Sequence, residues 1–354
     1  MPRLLVMADG RAVHTERWCR YFEATGFETA LFSLEPCTIT PPRQLFPGKR
    51  PSGVGMVDYF LARKRLQAVV AEFRPDIINP HYIISYAWLA WLARLKPVVA
   101  TAWGSDLLLM PHRSFLHRQR IRRALHWADW CTVDNQNLFE ATARFSAPGK
   151  IIRVVMGVER RLFDRMAKID FPQSGPLRIV APRGLGRVYD PFTIVEACRL
   201  IGKRIDYHLD LFGSGRDLTL LQEAFRKRSL GGRISLLPFR PHEEFALSLK
   251  EYDVYLAASR SDSTSVALLE AMASGLYPVV TDIPGNREWV RSGENGRLFK
   301  VGAPLALAEA LDAAARQRAE FGRIAAANRE RIAGEAIWEE NMDRLRDLML
   351  TMVR

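Results

Sequence analysis

Residues 259–288 read SRSDSTSVALLEAMASGLYPVVTDIPGNRE, and this stretch decides the fold of the chain. A turn rich in serine and threonine passes into a segment of Ala, Leu and Met, which ends at Gly275 and is followed by an apolar strand. The first N–H groups of a helix lack partners within it and its dipole is positive there, so such a helix start attracts anions. Asp262 and Glu270 lie on either side of this helix start, eight residues apart. Carboxylates in such positions can bind the hydroxyls of a sugar or ribose.

The first half of the chain alternates apolar runs of strand length with segments of helical period. Strands are predicted at 4–8, 28–33, 76–79, 98–101, 130–133 and 151–155, and helices at 14–24, 57–73 and 114–128. Alternation of this kind is typical of parallel strands joined by crossover helices. It therefore predicts an α/β doubly wound domain.

Residues 168–176, KIDFPQSGP, interrupt this alternation and are predicted to be a linker. Beyond the linker, strands are predicted at 177–181, 207–212, 233–237, 254–258 and 278–281, and the tail 305–354 is predicted to be helical throughout. We therefore predict two tandem Rossmann-like domains, 1–167 and 177–332, facing a central cleft. A C-terminal helix, 333–354, is expected to cross back to the N-terminal domain.

The composition is that of a soluble globular protein, with 354 residues, 48% of them hydrophobic and 25% charged. No apolar run approaches the roughly 18 residues of a membrane span. The N-terminus goes straight into a strand, so we expect a mature cytoplasmic protein. The four cysteines are scattered, without Cys-x-x-Cys or clustered histidines, which favours free thiols over a metal site.

Much of the net charge of +12 lies in one predicted basic helix, 111–128. Its basic residues are His112, Arg113, His117, Arg118, Arg120, Arg122, Arg123 and His126. The helix can be a solvated face, or it can meet an anionic bilayer with its charges on one side and apolar residues on another. Nucleic-acid binding is disfavoured, because no helix-turn-helix, RRM or zinc-binding spacing accompanies the helix.

The loop 181–189, APRGLGRVY, is a candidate phosphate cradle at the end of a strand. Its glycines let the backbone approach a ligand, and Arg183 and Arg187 offer planar guanidinium groups that bind phosphate oxygens in pairs. For each arginine the alternative is a solvated surface side chain.

Two further loops of the second half carry candidate ligand contacts. The segment DLFGSGR, 210–216, ends a strand in a turn containing Gly213 and Gly215, and Phe239 and Arg240 follow the next strand. Each of these loops can also be a plain turn. Glu270 differs, because its neighbours are apolar, and an acid embedded in such a run usually has a partner.

The motifs and their order resemble the retaining GT-B glycosyltransferases of family 4, also called glycosyl transferases group 1. In that family the first acid is usually Glu followed by Gly-Phe-Gly, whereas this chain has Asp262 followed by Ser263, Thr264 and Ser265. The resemblance implies that Asp262 contacts the transferred sugar and that Glu270 holds the ribose hydroxyls. It also implies that the amides of the three hydroxyl residues meet the diphosphate.

Other positions take their expected roles from the same resemblance. Arg183, with Arg187, is expected to hold the diphosphate, while Tyr189 occupies the place of the family's lysine. Gly213 lies in the loop that closes over the nucleotide, and Phe239 and Arg240 fall where the base is held. In the loop 282–288, Asn286 is either a ligand contact or the N-cap of a short helix.

The acceptor side is expected at the ends of the N-terminal strands. The residues concerned are Asp9, Gly10, His14, Trp103 and Asp106. Trp103 stands where the family commonly has a histidine, and its ring offers a face on which a sugar can stack. His81 is then the candidate for that histidine's catalytic role, with a structural histidine as the alternative.

The resemblance implies a retaining transferase that moves a sugar from a UDP- or GDP-sugar to a glycan, lipid-linked or small-molecule acceptor, in polysaccharide or glycoconjugate biosynthesis. No metal or other cofactor is expected, and the chain has no Asp-x-Asp to hold a metal-bound diphosphate. The resemblance also favours contact of the 113–123 region with the inner face of a membrane. A GT-B-shaped sugar-nucleotide epimerase and a non-catalytic sugar-nucleotide-binding protein stay open, whereas a dehydrogenase would need the absent Gly-x-Gly-x-x-Gly.

Overall fold

A computed structural model describes residues 1–40, 44–47, 55–202, 204–213, 218–227 and 232–353. The chain divides into two compact units. The first unit comprises Met1–Val154 together with Glu339–Arg354, and the second comprises Val155–Trp338. Residues 155–167, which the sequence prediction assigned to the N-terminal domain, therefore lie in the second unit.

The first unit alternates strands and helices along the chain. Its described strands are β1 (Arg3–Met7), β2 (Glu28–Ser33), β3 (Gln44–Pro47), β4 (Ile77–Pro80), β5 (Val99–Thr101), β6 (Trp130–Val133) and β7 (Ile151–Arg153). Its described α-helices before residue 154 are α1 (Val13–Ala24), α2 (Gly55–Phe73), α3 (Trp88–Leu92), α4 (Ser105–Leu108), α5 (Phe115–Trp127) and α6 (Gln136–Ala143). A π-helix at Tyr82–Ala87 and 3-10 turns at Met110–His112 and Pro148–Lys150 complete it.

The strands of this unit are parallel and pair in the order β3-β2-β1-β4 and β5-β6-β7. Isolated parallel bridges at Ile78–Val98 and His81–Thr101 join the two sets between β4 and β5. Four successive residues of β1, Leu4 to Met7, are fully buried. Burial on both faces is what helices covering both sides of a parallel sheet produce.

The second unit repeats the pattern. Its described strands are β8 (Leu177–Ala181), β9 (Tyr207–Phe212), β10 (Ile234–Leu237), β11 (Val254–Ala257), β12 (Tyr277–Thr281) and β13 (Arg297–Phe299). Its described α-helices are α7 (Arg160–Phe163), α8 (Pro191–Ile201), α9 (Leu218–Lys227), α10 (His242–Ser248), α11 (Val266–Ser274), α12 (Pro284–Arg287), α13 (Pro304–Arg316) and α14 (Phe321–Glu335). Short 3-10 turns lie at Leu249–Glu251 and Arg318–Glu320.

The sheet of the second unit has the order β10-β9-β8-β11-β12-β13, with every neighbouring pair parallel. The strand order reverses between β8 and β11. In doubly wound folds, ligands bind beyond the carboxyl ends of the strands at such a reversal. The loops after β8 and β11 are therefore where a ligand site is expected.

The predicted α/β architecture with parallel sheets is confirmed, and the predicted strands lie within two residues of the observed ones. Two short strands, β3 and β13, were not predicted. The tail is helical, but its last helix, α15 (Trp338–Met352), begins five residues after the predicted start at 333. Within the first unit, α15 is tied to α1 by the Tyr21 hydroxyl, which donates to Asp343 at 2.6 Å.

In the described part of the chain, no helix combines the length and the apolar character that crossing a membrane requires.

Candidate functional site

Arg183 lies directly beyond β8 and connects it to the loop after β11. Its Nη2 donates to Asp262 Oδ2 at 2.6 Å, and its Nη1 donates to Ser265 Oγ at 3.2 Å. The guanidinium stacks over the Tyr189 ring, 4.8 Å from the ring centre. Burial lowers the pKa of Arg183, but Asp262, Tyr255 and Tyr189 together outweigh burial and the net pKa is raised. Tyr189 therefore supports the plane of Arg183 instead of adding the second cation that a lysine would supply.

The turn before α11 is held in place by its own side chains. Ser265 is the N-cap, since its Oγ accepts from the N–H of Leu268 at 3.4 Å. Asp262 Oδ1 accepts from the N–H of Ser263 at 3.0 Å. Ser263 and Thr264 are buried with Ser265. The start of a nine-residue helix and an arginine thus converge at the carboxyl end of β8 and β11, as an anion site requires.

The loop after β12 packs tightly on this turn. A Cβ atom at Gly285 would lie 1.8 Å from the Ser263 carbonyl oxygen, so only glycine fits there. Asn286 is 3% exposed, and its amide donates to the Thr281 carbonyl oxygen at 2.8 Å. Asn286 lies inside α12, whose N-cap is Ile283. It is therefore neither the N-cap nor the exposed ligand contact considered from the sequence, but a clamp that fixes this loop.

Glu270 lies on α11 and is 3% exposed. Its Oε1 is 2.6 Å from Nε2 of His242, the first residue of α10. The expectation that this acid has a partner is met by a residue that the sequence did not single out. His242 is 43% exposed at its side chain, so one end of the pair reaches solvent. The sequence held a signal for this partner, because His242 directly follows the short loop that carries the candidate residues Phe239 and Arg240.

Tyr255, on β11, reaches the turn before α11. Its side chain is fully buried and its hydroxyl lies 3.5 Å from Ser265 Oγ. The pKa of Tyr255 is raised to about 12, chiefly by burial; Arg183 and the hydrogen bond with Ser265 oppose the rise, and Asp262 and Glu270 add to it. The phenol is therefore a neutral hydrogen-bonding group at physiological pH. Sequence reasoning missed it, because a tyrosine within a strand looks like a core residue.

The remaining candidate residues of the second unit differ in burial and in contacts. Gly213 is buried, and a Cβ there would lie 2.7 Å from the Leu185 side chain, so the 181–189 loop and the 210–216 loop are in contact. Residues 214–217, including Gly215, lie outside the described residues. Phe239 is 53% exposed, and Arg240 lies over the Phe212 ring at 5.5 Å. Arg187 is exposed, and no described contact joins it to Arg183.

In the first unit, the acceptor-side candidates form an aromatic cluster. The ring of Trp103 lies 5.1 Å from His14 and 5.5 Å from His81, and His81 meets Trp18 edge-on at 4.8 Å. His14 and Trp103 are partly exposed, whereas His81 is 2% exposed. His14 and Trp103 are thus the accessible members of the cluster.

His81 is fixed as a neutral side chain. Its Nε2 lies 3.0 Å from Asn79 Oδ1, which can only accept, so Nε2 carries the proton. Burial, with a smaller contribution from His14, lowers the pKa of His81 to about 3. Nδ1 is then an acceptor, and no partner for it occurs among the described residues. A neutral imidazole of this kind can accept a hydrogen bond but cannot serve as a cation.

Asp106 and the loop after β1 have structural contacts. Asp106 is fully buried and accepts the N–H of Ile83 at 2.8 Å and of Trp103 at 3.1 Å. Burial raises its pKa to about 6, while the amide donors lower it. Gly10 donates to Ser33 Oγ at 2.9 Å, and Asp9 pairs with Arg11 at 2.7 Å. Among the described residues, no group of three or more His, Cys, Asp and Glu could hold a metal ion.

Two Rossmann-type sheets, one with an arginine, a helix start and a buried acid at its strand-order reversal, define a GT-B glycosyltransferase. The family model for glycosyl transferases group 1 matches residues 166–331, and the model for glycosyl transferase 4-like proteins matches residues 3–135. The chain belongs to the group 1 glycosyltransferases.

Similar proteins agree with this family. N-acetyl-alpha-D-glucosaminyl L-malate synthase of Bacillus anthracis is 27% identical over 71% of this chain and 68% of its own. The amylovoran biosynthesis glycosyltransferase AmsK of Erwinia amylovora is 28% identical over 83% of this chain and 76% of its own. The solved structure of Anabaena Alr3699/HepE in complex with UDP has a TM-score of 0.78 at 15% identity, covering 99% of this chain and 100% of that one.

Proposed function

We propose that this protein transfers a sugar, with retention of anomeric configuration, from a nucleoside-diphosphate sugar to a hydroxyl acceptor. The observation that carries the proposal is the convergence of Arg183, the α11 start and Glu270 beyond β8 and β11. A cation beside a helix start suits a diphosphate, and a buried carboxylate suits ribose hydroxyls. The UDP complex of the similar Anabaena protein supports a UDP-sugar as the donor.

The Arg183–Asp262 ion pair suggests how the donor is bound. Asp262 holds the guanidinium at 2.6 Å and Tyr189 holds its plane, so Arg183 is oriented before any donor arrives. A diphosphate can then accept from the guanidinium N–H groups of Arg183 that Asp262 and Ser265 do not use. Asp262, paired in this way, remains beside the anomeric centre to contact the transferred sugar.

The chemistry of transfer follows from charge. When the bond between sugar and diphosphate breaks, negative charge develops on the leaving oxygen, where Arg183 and the α11 amides stabilise it. The acceptor hydroxyl attacks the face from which the diphosphate departs, with no protein nucleophile and no metal. The absence of Asp-x-Asp in the sequence supports the metal-independent form.

The acceptor is proposed to be a glycan, a lipid-linked saccharide or a small molecule, in polysaccharide or glycoconjugate biosynthesis. The named relatives support both ends of that range, since one makes a malate glycoside and the other acts in amylovoran synthesis. We propose that the enzyme works in the cytoplasm, with the 113–123 region on an anionic membrane surface. Phe115 and Leu116, 71% and 62% exposed beside Arg118, support that contact.

A thermal-shift panel tests the donor site. UDP, GDP, ADP, CDP and dTDP are added to wild type, Arg183→Ala, Glu270→Gln and the control Arg199→Ala, which removes an exposed cation paired with Glu196. One base should stabilise wild type and the control, by about 2.7 kcal/mol at a hundredfold excess over Kd, and the two site variants should lose most of that shift. Equal shifts in all four proteins would refute the site.

Product analysis tests the reaction. With the matching sugar nucleotide and an acceptor, NMR of the product should show the anomeric configuration of the donor. Conversion of the donor to an isomeric sugar nucleotide without acceptor would indicate an epimerase instead. Donor binding with neither transfer nor slow hydrolysis would indicate a binding protein.

A further inference from the structure

A basic groove lies on the first unit, between α5 and the segment 143–150 that follows α6. Its volume is about 690 Å³. Its charged lining consists of Arg118, Arg122, His126, Arg144 and Lys150. A second depression of about 80 Å³ shares Arg118 and Arg144 with it, so these two arginines lie where the depressions meet. We call the larger depression, with this lining, the basic groove.

The charges of the basic groove are not balanced by acids. No Asp or Glu lines it, and within the described residues no carboxylate lies within 4.0 Å of its two central arginines. Exposed arginines elsewhere behave differently, since Arg199 pairs with Glu196 and Arg316 with Asp312. Like charges that converge without counter-charges repel one another, and a bound anion with several oxygens would relieve that repulsion.

The groove also has an apolar side. Phe115, Leu125 and Phe145 contribute to its lining. Phe115 is 71% exposed, and its neighbour Leu116 is 62% exposed. Two large apolar side chains beside a cluster of cations match the boundary between lipid headgroups and acyl chains. A free anion would satisfy the cations but would leave both side chains in water.

We propose that the basic groove binds the phosphate of a membrane lipid, with Arg118 and Arg144 as its central donors and Phe115 and Leu116 entering the bilayer surface. The proposal rests on the proposed contact of the 113–123 region with a membrane. It adds residues outside α5, since Arg144 and Lys150 lie beyond α6. A phosphomonoester headgroup is favoured, because it exposes more unshared phosphate oxygens to planar guanidinium forks than a diester does.

Vesicle sedimentation of the full-length chain tests the proposal. Phosphatidylcholine vesicles carry either phosphatidate or phosphatidylglycerol, adjusted to equal surface charge. The groove variant is Arg118→Gln with Arg144→Gln. The matched control is Arg113→Gln with Arg123→Gln, which removes two exposed arginines that line neither depression. Melting curves check that both variants fold.

The groove variant should lose about tenfold more affinity for phosphatidate vesicles than the control, and the two should be alike on phosphatidylglycerol. Phe115→Ser should weaken both vesicle types without changing binding of inorganic pyrophosphate. Equal losses for the two double variants would overturn the groove while leaving a diffuse membrane contact in place. If the groove bound pyrophosphate and the protein did not bind vesicles, both the lipid as the ligand of the groove and the proposed membrane contact would be refuted. The nucleotide panel on the same variants reports donor binding separately.

Discussion

A carboxylate inside an apolar helix is costly unless another group shares its charge, and Glu270 meets this requirement through His242. The pair joins two helices whose residues are 28 positions apart, at 2.6 Å. Glu270 is buried and His242 is partly exposed, and the contact between them satisfies one carboxylate oxygen and fixes the direction of the carboxylate. Under the proposed function, the second oxygen of that carboxylate is the one available to a ribose hydroxyl.

Replacing His242 by Ala should weaken UDP binding by about tenfold, which corresponds to about 1.4 kcal/mol. The reason is that Glu270 would lose the contact that fixes the direction of its carboxylate. Isothermal titration with UDP measures the change. His208→Ala is the control, since His208 is also half-exposed and paired with an acid, Asp210, at 3.1 Å. Equal UDP affinities in the two variants would contradict the role of His242.

At the scale of the element, the loop after β12 and the turn before α11 form one fitted unit. Gly285 lies against the Ser263 carbonyl, and Asn286 anchors the loop to Thr281. The helix start at which we propose that the diphosphate binds therefore depends on a loop about twenty residues later in the chain. The sequence predicted each element of this crossover, but the contact between them appears only in the folded chain.

Gly285→Ala should destabilise the protein by about 1–3 kcal/mol, because its Cβ would overlap the Ser263 carbonyl and push the turn out of place. It should also reduce the UDP-induced thermal shift by more than the loss of stability alone explains. Urea unfolding with and without UDP separates the two effects. Gly232→Ala is the control, since a Cβ there meets nothing within 4 Å. If Gly285→Ala had the same stability and the same UDP-induced shift as this control, the turn would tolerate displacement.

At the scale of the whole molecule, each unit is closed by residues far apart in sequence. The first unit takes in α15, where Met342, Leu345 and Met349 are fully buried. In the second unit, Lys168 Nζ forms an ion pair with Asp253 Oδ1 at 2.6 Å, and both side chains are 3% exposed. Asp253 Oδ2 also accepts from the Arg178 N–H at 3.0 Å. The polar segment 168–176, chosen as a linker from its composition, thus begins with a buried ion pair.

Asp253→Asn should lower the free energy of unfolding by about 3 kcal/mol at neutral pH, because it leaves the Lys168 charge buried without a counter-charge. Burial raises the pKa of Asp253, but Lys168 and Arg178 outweigh it and hold the pKa below its ordinary 3.8. The stabilisation is therefore present above pH 3.8 and is lost as pH falls through the lower folded value. Urea unfolding at neutral and acid pH measures this change. The free energy of unfolding of wild type should approach that of the variant in acid.

Asp282→Asn serves as the matched control for this experiment. Asp282 also pairs with an arginine, Arg287, but both side chains are exposed, at 40% and 57%. Its loss should cost less than about 1 kcal/mol. If Asp253→Asn cost no more than this control at neutral pH, the buried pair would not be what closes the second unit.

The sequence by itself determined the α/β class, the order of most strands and the carboxylate–helix–strand segment, because periodicity, glycines and helix starts are local properties of the chain. Sequence reasoning did not find β3, β13 or the π-helix at Tyr82–Ala87. Only the tertiary structure decided that Arg183 pairs with Asp262, that His242 meets Glu270 and that Arg144 joins α5 in the basic groove. Those contacts depend on packing between elements distant in sequence, and no local pattern encodes the distance between two side chains brought together by a sheet.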